Sequence, residues 1–489
     1  MTLFGEKFQK IREDNKINIY RLTQKAGIER TIVHKIITGD RIPQAEYVHK
    51  LIAALPVSPF EKDELRTAYH ISKDGEFLYN QRVQVKRLIE RMHDVQAFME
   101  RMIPPASPIQ SAGMEEYTDI VNVVHGELSV NGLIGDMLDS ETRTENPRVR
   151  FIIPHDHVYF YDTLFQKCRV SMIKAECLFE FSKTMDITKA RRNANLDVID
   201  ALLPFIMYAP GSFEAHYVYS VHPAKHTAVL PMPYFIITSG RVATFTTDMK
   251  NAITFNSGDV AEFYGGIFDG MKEKGDTLNR RVTSVEEIAE YYADTTKTDA
   301  PSISGFGSHP CIALYYDRAT LDAHLPPVLP GREQMIEMLQ MPSNYMRNLS
   351  QKGGIPAYFT SKGFELFVNE GAIPTIDNRL FRDYTPPEIA ETLRKMISDT
   401  ENGGMLYRVI NASKIKIPDC FYVDVFSGSR MNIVIGSPNP ADGVNIVNIL
   451  EESVVDAFHD FLTGAAASEI TYSKDDTLQT LRAALEGLA

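Results

Sequence analysis

The stretch from Lys16 to Gly39, KINIYRLTQKAGIERTIVHKIITG, constrains the fold of this chain more than any other part of its sequence. Its apolar residues recur at the spacing that buries one face of each of two short helices: Leu22, Ala26, Ile28, Val33 and Ile36. Gly27 stands between them, where a residue without Cβ readily adopts the positive φ that ends a helix. The pattern therefore predicts a helix-turn-helix arrangement.

The sequence on either side of this motif predicts three further helices of a small bundle. One amphipathic helix is expected over residues 4–14. A fourth helix should carry Pro43 in its first turn, where the missing N–H of proline costs nothing. The fifth helix is expected from Pro59 to His70, with Ser58 as its N-cap and Glu61 completing a capping box.

The positions of the glycine, of the apolar residues and of the neighbouring helices make residues 4–70 resemble the DNA-binding domain of Xre/Cro-type repressors. These repressors are bacterial transcriptional regulators. The resemblance implies that the second motif helix enters the major groove of double-stranded DNA. It implies DNA contacts from Arg30, Thr31, His34 and Lys35 on the outward side of that helix. Arg21 and Arg41, which lie before and after the second motif helix in the sequence, are expected to contact phosphate.

Two residues depart from the pattern of that family. Thr23 stands where a small residue is usual, and Ile19 stands where a polar residue often contacts phosphate. Both favour an alternative in which the bundle binds only proteins, as in phage control or a toxin–antitoxin pair.

Length and charge indicate that the bundle is attached to a different kind of body. A chain of 489 residues suggests about three domains. Residues 1–72 contain 12 Lys and Arg against 9 Asp and Glu, a net charge of +3, whereas the whole chain carries −13 and the remainder therefore −16. A slightly basic domain attached to an acidic body is typical of a DNA-binding domain joined to a domain with another function.

A long helix is expected directly after the bundle. Residues 75–103 keep a helical apolar period over about seven turns. This segment is either a connector or a dimerisation helix. Because helix-turn-helix proteins commonly read symmetric half-sites, we expect a homodimer.

The predicted fold class is multidomain: an all-α helix-turn-helix bundle over residues 1–72, the long helix over 75–103, and a mixed α+β body. The body is divided into a sensor-like α+β domain over 106–299 and a second α+β domain over 308–489. Residues 300–309 are predicted to be a linker or long loop, residues 115–138 a helix, and residues 311–316 a strand. This body also resembles uncharacterised sensory regions of Xre-type regulators, which implies a small-molecule or peptide effector.

No sequence motif indicates a particular catalytic activity. The chain contains no Walker-type phosphate loop, dinucleotide-binding glycine motif, H-E-x-x-H, G-x-S-x-G or H-x-K phosphodiesterase motif. The run His155, Asp156 and His157 is either a metal site or a polar loop, and paired tyrosines such as Tyr315 and Tyr316 line a ligand pocket or belong to the core. We expect a protein that is not an enzyme, with no catalytic residue, cofactor or metal; an enzyme of unknown reaction with an appended DNA-binding module is the alternative.

The sequence also bears on location. No basic segment followed by an apolar run opens the sequence, so we expect no signal peptide. The longest apolar runs are shorter than the roughly 20 residues that span a bilayer. The four cysteines are far apart and lie in apolar surroundings, which is typical of buried, reduced thiols. We expect a cytoplasmic protein with no membrane partner.

Overall fold

The computed structural model describes residues 2–38, 42–101, 119–171, 173–182, 193–209, 211–220, 231–282, 287, 290, 294, 300–373, 375, 381–436 and 444–488. The chain divides into two compact units, the first formed mainly by residues 1–84 and the second by most of the remainder. Among the described residues, no helix is both long and apolar enough to cross a membrane.

The first unit is a bundle of short helices, as the sequence predicts. They are α1 (Leu3–Asp14), α2 (Ile19–Ala26), α3 (Arg30–Thr38), α4 (Ala45–Ala54) and α5 (Pro59–Asp74). One apolar core joins them, and its least exposed members are Phe4, Phe8, Val33, Leu51 and Leu65. Full burial of such side chains contributes about 1.5–3 kcal/mol each, so this core holds the two motif helices in place.

The predicted start of α5 is confirmed, whereas the predicted start of α4 is wrong. At α5 the capping box is confirmed, because the Glu61 N–H donates to Ser58 Oγ at 3.2 Å and the Ser58 N–H donates to Glu61 Oε2 at 2.9 Å. At α4 the prediction is wrong by two residues. The helix begins at Ala45, Gln44 is extended, and Pro43 is buried just ahead of the helix instead of in its first turn.

The long helix α6 (Glu76–Arg101) is present and continues from the first unit into the second. Its side chains at Val85, Leu88, Ile89 and Met92 are at most 2% exposed and belong to the core of the second unit. The chain itself therefore covers this apolar stripe.

The second unit is a mixed α+β body, as predicted, and contains two mixed sheets. The first sheet has the order β1-β7-β6-β5-β2-β3-β4-β8, in which β2, β3 and β4 are parallel and the other pairings are antiparallel. Its strands are β1 (Val121–His125), β2 (Arg148–Ile152), β3 (Lys174–Ser182), β4 (Phe213–Ser220), β5 (Tyr234–Ile237), β6 (Val242–Phe245), β7 (Asn251–Phe255) and β8 (Asp276–Thr277). The accompanying helices are α7 (Glu127–Glu141), α8 (Val158–Val170), α9 (Ala194–Tyr208) and α10 (Gly258–Lys272).

The second sheet has the order β12-β11-β10-β13-β14-β15-β9. Its strands are β9 (Asn279–Val282), β10 (Ile303–Gly307), β11 (Ile355–Thr360), β12 (Met405–Ile410), β13 (Phe421–Phe426), β14 (Arg430–Ile435) and β15 (Val444–Ile449). The helical segments are a 3-10 turn (Ala313–Tyr315), α11 (Arg318–His324), α12 (Arg332–Gly353), α13 (Ser361–Glu370), α14 (Pro386–Asn402), α15 (Glu452–Asp460), a π-helix (Phe461–Ile470) and α16 (Lys474–Gly487).

The second sheet separates two cores because its side chains alternate between its faces. On β13, Val423 and Val425 enter the core that also contains residues of the first sheet, whereas Tyr422 and Phe426 enter a separate core built with α12 and α14. Both faces of this sheet are therefore covered.

The two sheets meet along the chain at Leu278. Its N–H donates to Ala215 O of the first sheet at 2.7 Å, and its carbonyl accepts from the Asn448 N–H of the second sheet at 3.1 Å. The next residues form β9, which pairs with β15 although it lies within the 106–299 range of the sequence analysis.

Three predicted segments of the body are wrong. Residues 300–309 are not a linker, because residues 303–307 form strand β10. Residues 311–316 are not a strand but contain a 3-10 turn. Residues 121–125, which lie within the predicted helix over 115–138, form strand β1. In β10 the glycines have a packing reason: a Cβ at Gly307 would lie 2.4 Å from Tyr422 Cδ2. Glycines that make room for a neighbouring ring look like loop residues in a sequence.

The cysteines are all free thiols. Cys168, Cys177 and Cys311 are buried, as predicted. Cys420 is only half-buried, and its φ of 56° places it in the left-handed region just before β13.

Candidate nucleic-acid interface

The first motif helix, α2, starts at a polar cap that the sequence analysis did not identify. The Asn18 side chain accepts hydrogen bonds from the Tyr20 N–H at 2.9 Å and the Arg21 N–H at 3.3 Å. Ile19, the next residue, packs partly buried against the core of the bundle. A polar side chain thus does serve the start of this helix, one residue earlier than the family pattern suggests.

The buried Thr23 is accommodated within its own helix. Its side chain is 5% exposed, and its hydroxyl donates to Tyr20 O at 2.8 Å. Because this hydrogen bond satisfies the hydroxyl locally, Thr23 fits where the family usually has a small residue.

The turn between α2 and α3 has the geometry that the sequence predicts. Gly27 has φ 64° and ψ 36°, in the left-handed region, and caps α2. The Ile28 N–H donates to Thr23 O at 3.1 Å, and the Ile28 side chain is 5% exposed in the bundle core. A glycine followed by a buried apolar residue therefore sets the direction in which α3 leaves the turn.

Helix α3 has one buried and one exposed side. Val33 and Ile36 are at most 2% exposed, whereas Arg30, Thr31, His34 and Lys35 are exposed. All four residues predicted for the outward face therefore do lie outward on one helix.

The C-terminal part of α3 lies unusually close to α1. A Cβ at Gly5 would lie 2.9 Å from Ile36 O and 3.1 Å from Ile37 O, so only glycine allows this approach. Gly5 is a positioning residue for α3 that sequence periodicity alone does not reveal.

The basic side chains of this face form no ion pairs with acids of the described residues. Within the described residues, Arg30, His34 and Lys35 form no side-chain hydrogen bond or ion pair. The Thr31 hydroxyl donates weakly to Glu29 Oε2 at 3.4 Å, while the Glu29 carbonyl accepts from the Ile32 and Val33 N–H groups at the helix start. The donors of Arg30, His34 and Lys35 are consequently available to an acceptor outside the chain.

The two flanking arginines have different outcomes. Arg21 is exposed in the first turn of α2, next to the Asn18 cap. Arg41 lies outside the described residues. The structure adds Tyr20, which is 63% exposed beside Arg21, and Lys25, which is exposed in the last turn of α2.

The other sequence candidate, the run from His155 to His157, has a structural explanation. His157 is the N-cap of α8, where its Nδ1 accepts a hydrogen bond from the Phe160 N–H at 3.3 Å. Burial lowers the pKa of His157, in keeping with a neutral ring that accepts a hydrogen bond. Among the described residues, no group of three or more His, Cys, Asp or Glu side chains is arranged to hold a metal ion.

No protein family model matches this sequence, and no curated protein matches it. Solved structures with partial similarity include TrmBL2, an archaeal chromatin protein whose structure is described as showing a novel mode of DNA binding. That match has 14% identity and a TM-score of 0.22, and it covers 33% of this chain and 56% of TrmBL2.

Two further solved structures are enzymes. The first is Nuc from Salmonella typhimurium, a phospholipase D family member, with 15% identity and a TM-score of 0.21 over 32% of this chain and 96% of that chain. The second is phosphatidylserine synthase from Haemophilus influenzae Rd KW20, with 8% identity and a TM-score of 0.25 over 76% of this chain and 94% of that chain. Similarities of this size support neither a family nor a function for the present chain.

Proposed function

We propose that this protein is a DNA-binding transcriptional regulator that reads double-stranded DNA through α3. The observation that carries the proposal is the combination of a helix-turn-helix with an exposed second helix on which Arg30, His34 and Lys35 have no partner among the described residues. A bundle used only for protein contacts has no need for such a row of free donors. The Xre/Cro-type assignment rests on the sequence resemblance of residues 4–70.

The roles of the individual residues follow from their places on the helix. Arg30 and Thr31 lie in the first turn of α3, the part of a recognition helix that reaches base edges. A guanidinium group matches the paired acceptors of guanine, so Arg30 is the residue that we assign to sequence reading. His34 and Lys35 follow one turn later, and Arg21 extends from the start of α2 towards phosphate.

Regulation is assigned to the rest of the chain. The protein acts as a homodimer on paired half-sites, and its α+β body responds to a small molecule or a peptide. An effector that binds one dimer geometry better than another shifts the population towards it and thereby changes operator affinity. The expectations of a cytoplasmic protein, of no membrane partner and of no enzymatic activity remain predictions.

The test compares two double variants on one DNA duplex, which the wild-type protein first selects from a randomised library. We expect R30A with K35A to weaken binding by about tenfold or more, because the base contact of Arg30 is lost. We assign Lys35 to phosphate, so its loss should also lower the logarithmic salt slope by about 0.9. Gel-shift titrations at several salt concentrations measure both quantities.

The matched control is K10A with K73A, which removes two exposed lysines of α1 and α5 in the same unit. This control should retain wild-type affinity if the α3 face is the interface. Equal losses in the two double variants, or a failure of the wild-type protein to enrich any sequence, would refute the assignment.

A further inference from the structure

A cavity of about 80 Å³ lies in the second unit, on the face of the second sheet that bears Tyr422 and Phe426. A single water needs about 10–15 Å³ by this measure, so the space holds several waters or one small organic molecule. Its walls come from β13, from the segment after β10 and from α12. Most of the lining is apolar or aromatic, and includes Tyr316, Tyr345, Met346 and Phe426.

Asp424 is the acidic residue of this lining. It follows Tyr422 by two positions on β13, so both side chains point to the face that bears the cavity. Within the described residues, the Asp424 carboxyl group has neither a hydrogen bond nor an ion pair. The carboxyl group therefore keeps its full hydrogen-bonding capacity for whatever enters the cavity.

Two residues lie beside Asp424 on the neighbouring strands. Asn432 lies directly opposite Asp424 on β14, is fully buried, and has no partner for its side-chain nitrogen or oxygen among the described residues. Gly305 lies opposite Asp424 on β10, where a Cβ would fall 2.1 Å from Tyr422 Oη. The glycine thus leaves room for the tyrosine hydroxyl next to the acid.

His309 adds no positive charge to balance the acid. Its Nδ1 lies 3.1 Å from Pro310 O, which can only accept, so Nδ1 carries the proton. Its Nε2 lies 2.7 Å from Thr375 Oγ1 and accepts from that hydroxyl. The ring stacks on Tyr422 with centroids 5.1 Å apart, and burial lowers the pKa of His309 to about 4.

The nearby arginines are engaged elsewhere. Arg347 on α12 donates to Leu314 O at 3.1 Å and to Tyr316 O at 3.3 Å. Arg430 on β14 pairs with Asp294 at 3.3 Å. Asp424 is half-buried, and a carboxylate in a largely apolar cavity without a cation is costly, so an occupant that carries a positive charge gains most from this site.

We propose that this cavity binds a small organic cation, an amine with an apolar body, with the charged nitrogen held by the Asp424 carboxylate and the body among the aromatic rings. Aromatic faces attract cations as well as apolar groups, which favours an amine over a metal ion. As an effector site the cavity depends on the proposed regulator function, but as a binding site it does not.

The test uses three probes of nearly equal size and different charge: benzylamine, benzyl alcohol and benzoate. Calorimetric titration of the full-length protein at pH 8, without DNA, should show that benzylamine binds at least tenfold more tightly than the other two. D424N should lose that preference, while E365Q, which removes an exposed acid of α13, should keep it.

Equal affinity for benzylamine and benzyl alcohol, no binding of any of the three probes, or full retention of benzylamine binding by D424N would overturn the proposal. The charge series on the wild-type protein decides the question even if D424N folds poorly. Because no DNA is present, this result is independent of the gel-shift test of α3.

Discussion

Asp424 is a carboxyl group whose ionisation opposes folding. Burial raises its pKa to about 7. The titratable groups around it are uncharged at neutral pH, because burial raises the pKa of Cys311 to about 12 and that of Tyr422 well above its usual value, and lowers that of His309. The folded protein therefore binds a proton at Asp424 between about pH 4 and 7, where the unfolded chain has released it.

The sign of the resulting pH dependence follows from this difference in proton binding. The stability contributed by protonated Asp424 is present below about pH 4 and is lost progressively as the pH rises to about 7. A complete difference of one proton is worth about 1.4 kcal/mol per pH unit. We expect D424N to gain about 1–3 kcal/mol in free energy of unfolding relative to wild type between pH 5 and pH 8. Urea denaturation at both pH values measures it, and parallel pH profiles would contradict it.

At the scale of single residues, local and distant features differ in how well they can be predicted. The outward positions of Arg30, Thr31, His34 and Lys35 follow from a helical period within one short stretch. Asp424 and His309 are far apart in the chain and line the same cavity only because β10 pairs with β13. No spacing rule connects such residues. Of the cavity lining, the sequence therefore offers only Tyr316, as one of its candidate pocket tyrosines, and not the acid or the histidine.

At the scale of elements, the turn before α3 depends on one backbone conformation. Gly27 has φ 64°, and a Cβ there would have nothing within 4 Å. Alanine at this position therefore meets no neighbour and suffers only the strain of the left-handed region, about 1–2 kcal/mol.

We expect G27A to speed hydrogen exchange in α2 and α3 by about fivefold or more, measured by mass spectrometry of their peptides. G27N is the matched control and should show a smaller effect, since asparagine tolerates this conformation better. Equal exchange rates in wild type and G27A would mean that the turn does not limit the stability of the motif.

Elements with a clear period or cap are predicted well, and those with an ambiguous pattern are not. The capping box of Ser58 and Glu61 lies where the sequence places it. The six-residue apolar run 311–316 is a 3-10 turn because a short apolar run fits either a strand or a buried helical segment. Strand β10 looks like a linker because its glycines make room for Tyr422.

At the scale of the whole molecule, the proposed homodimer needs a surface other than the apolar stripe of α6, which the second unit covers. Light scattering coupled to size-exclusion chromatography should give a mass near twice the 55.1 kDa of one chain. A mass of one chain at micromolar concentration, unchanged when operator DNA is added, would contradict the dimer.

Sequence patterns do not predict the order in which the strands are arranged in the two sheets. Runs of strands and helices predict a mixed α+β class, and the structure confirms it. The assignment of β9 to the far edge of the second sheet follows from neither composition nor period, because strand order depends on contacts between distant segments.

The crossing at Leu278 makes the two sheets mutually dependent. A fragment that starts at residue 300 would lack β9, which pairs with the outer side of β15. The unpaired backbone N–H and C=O groups of β15 would then be exposed and would promote aggregation. A fragment that stops at residue 275 would likewise leave β4 without its outer neighbour β8. We therefore expect the two halves of the body to fold and unfold together, and an insertion near Leu278 to disturb both sheets at once.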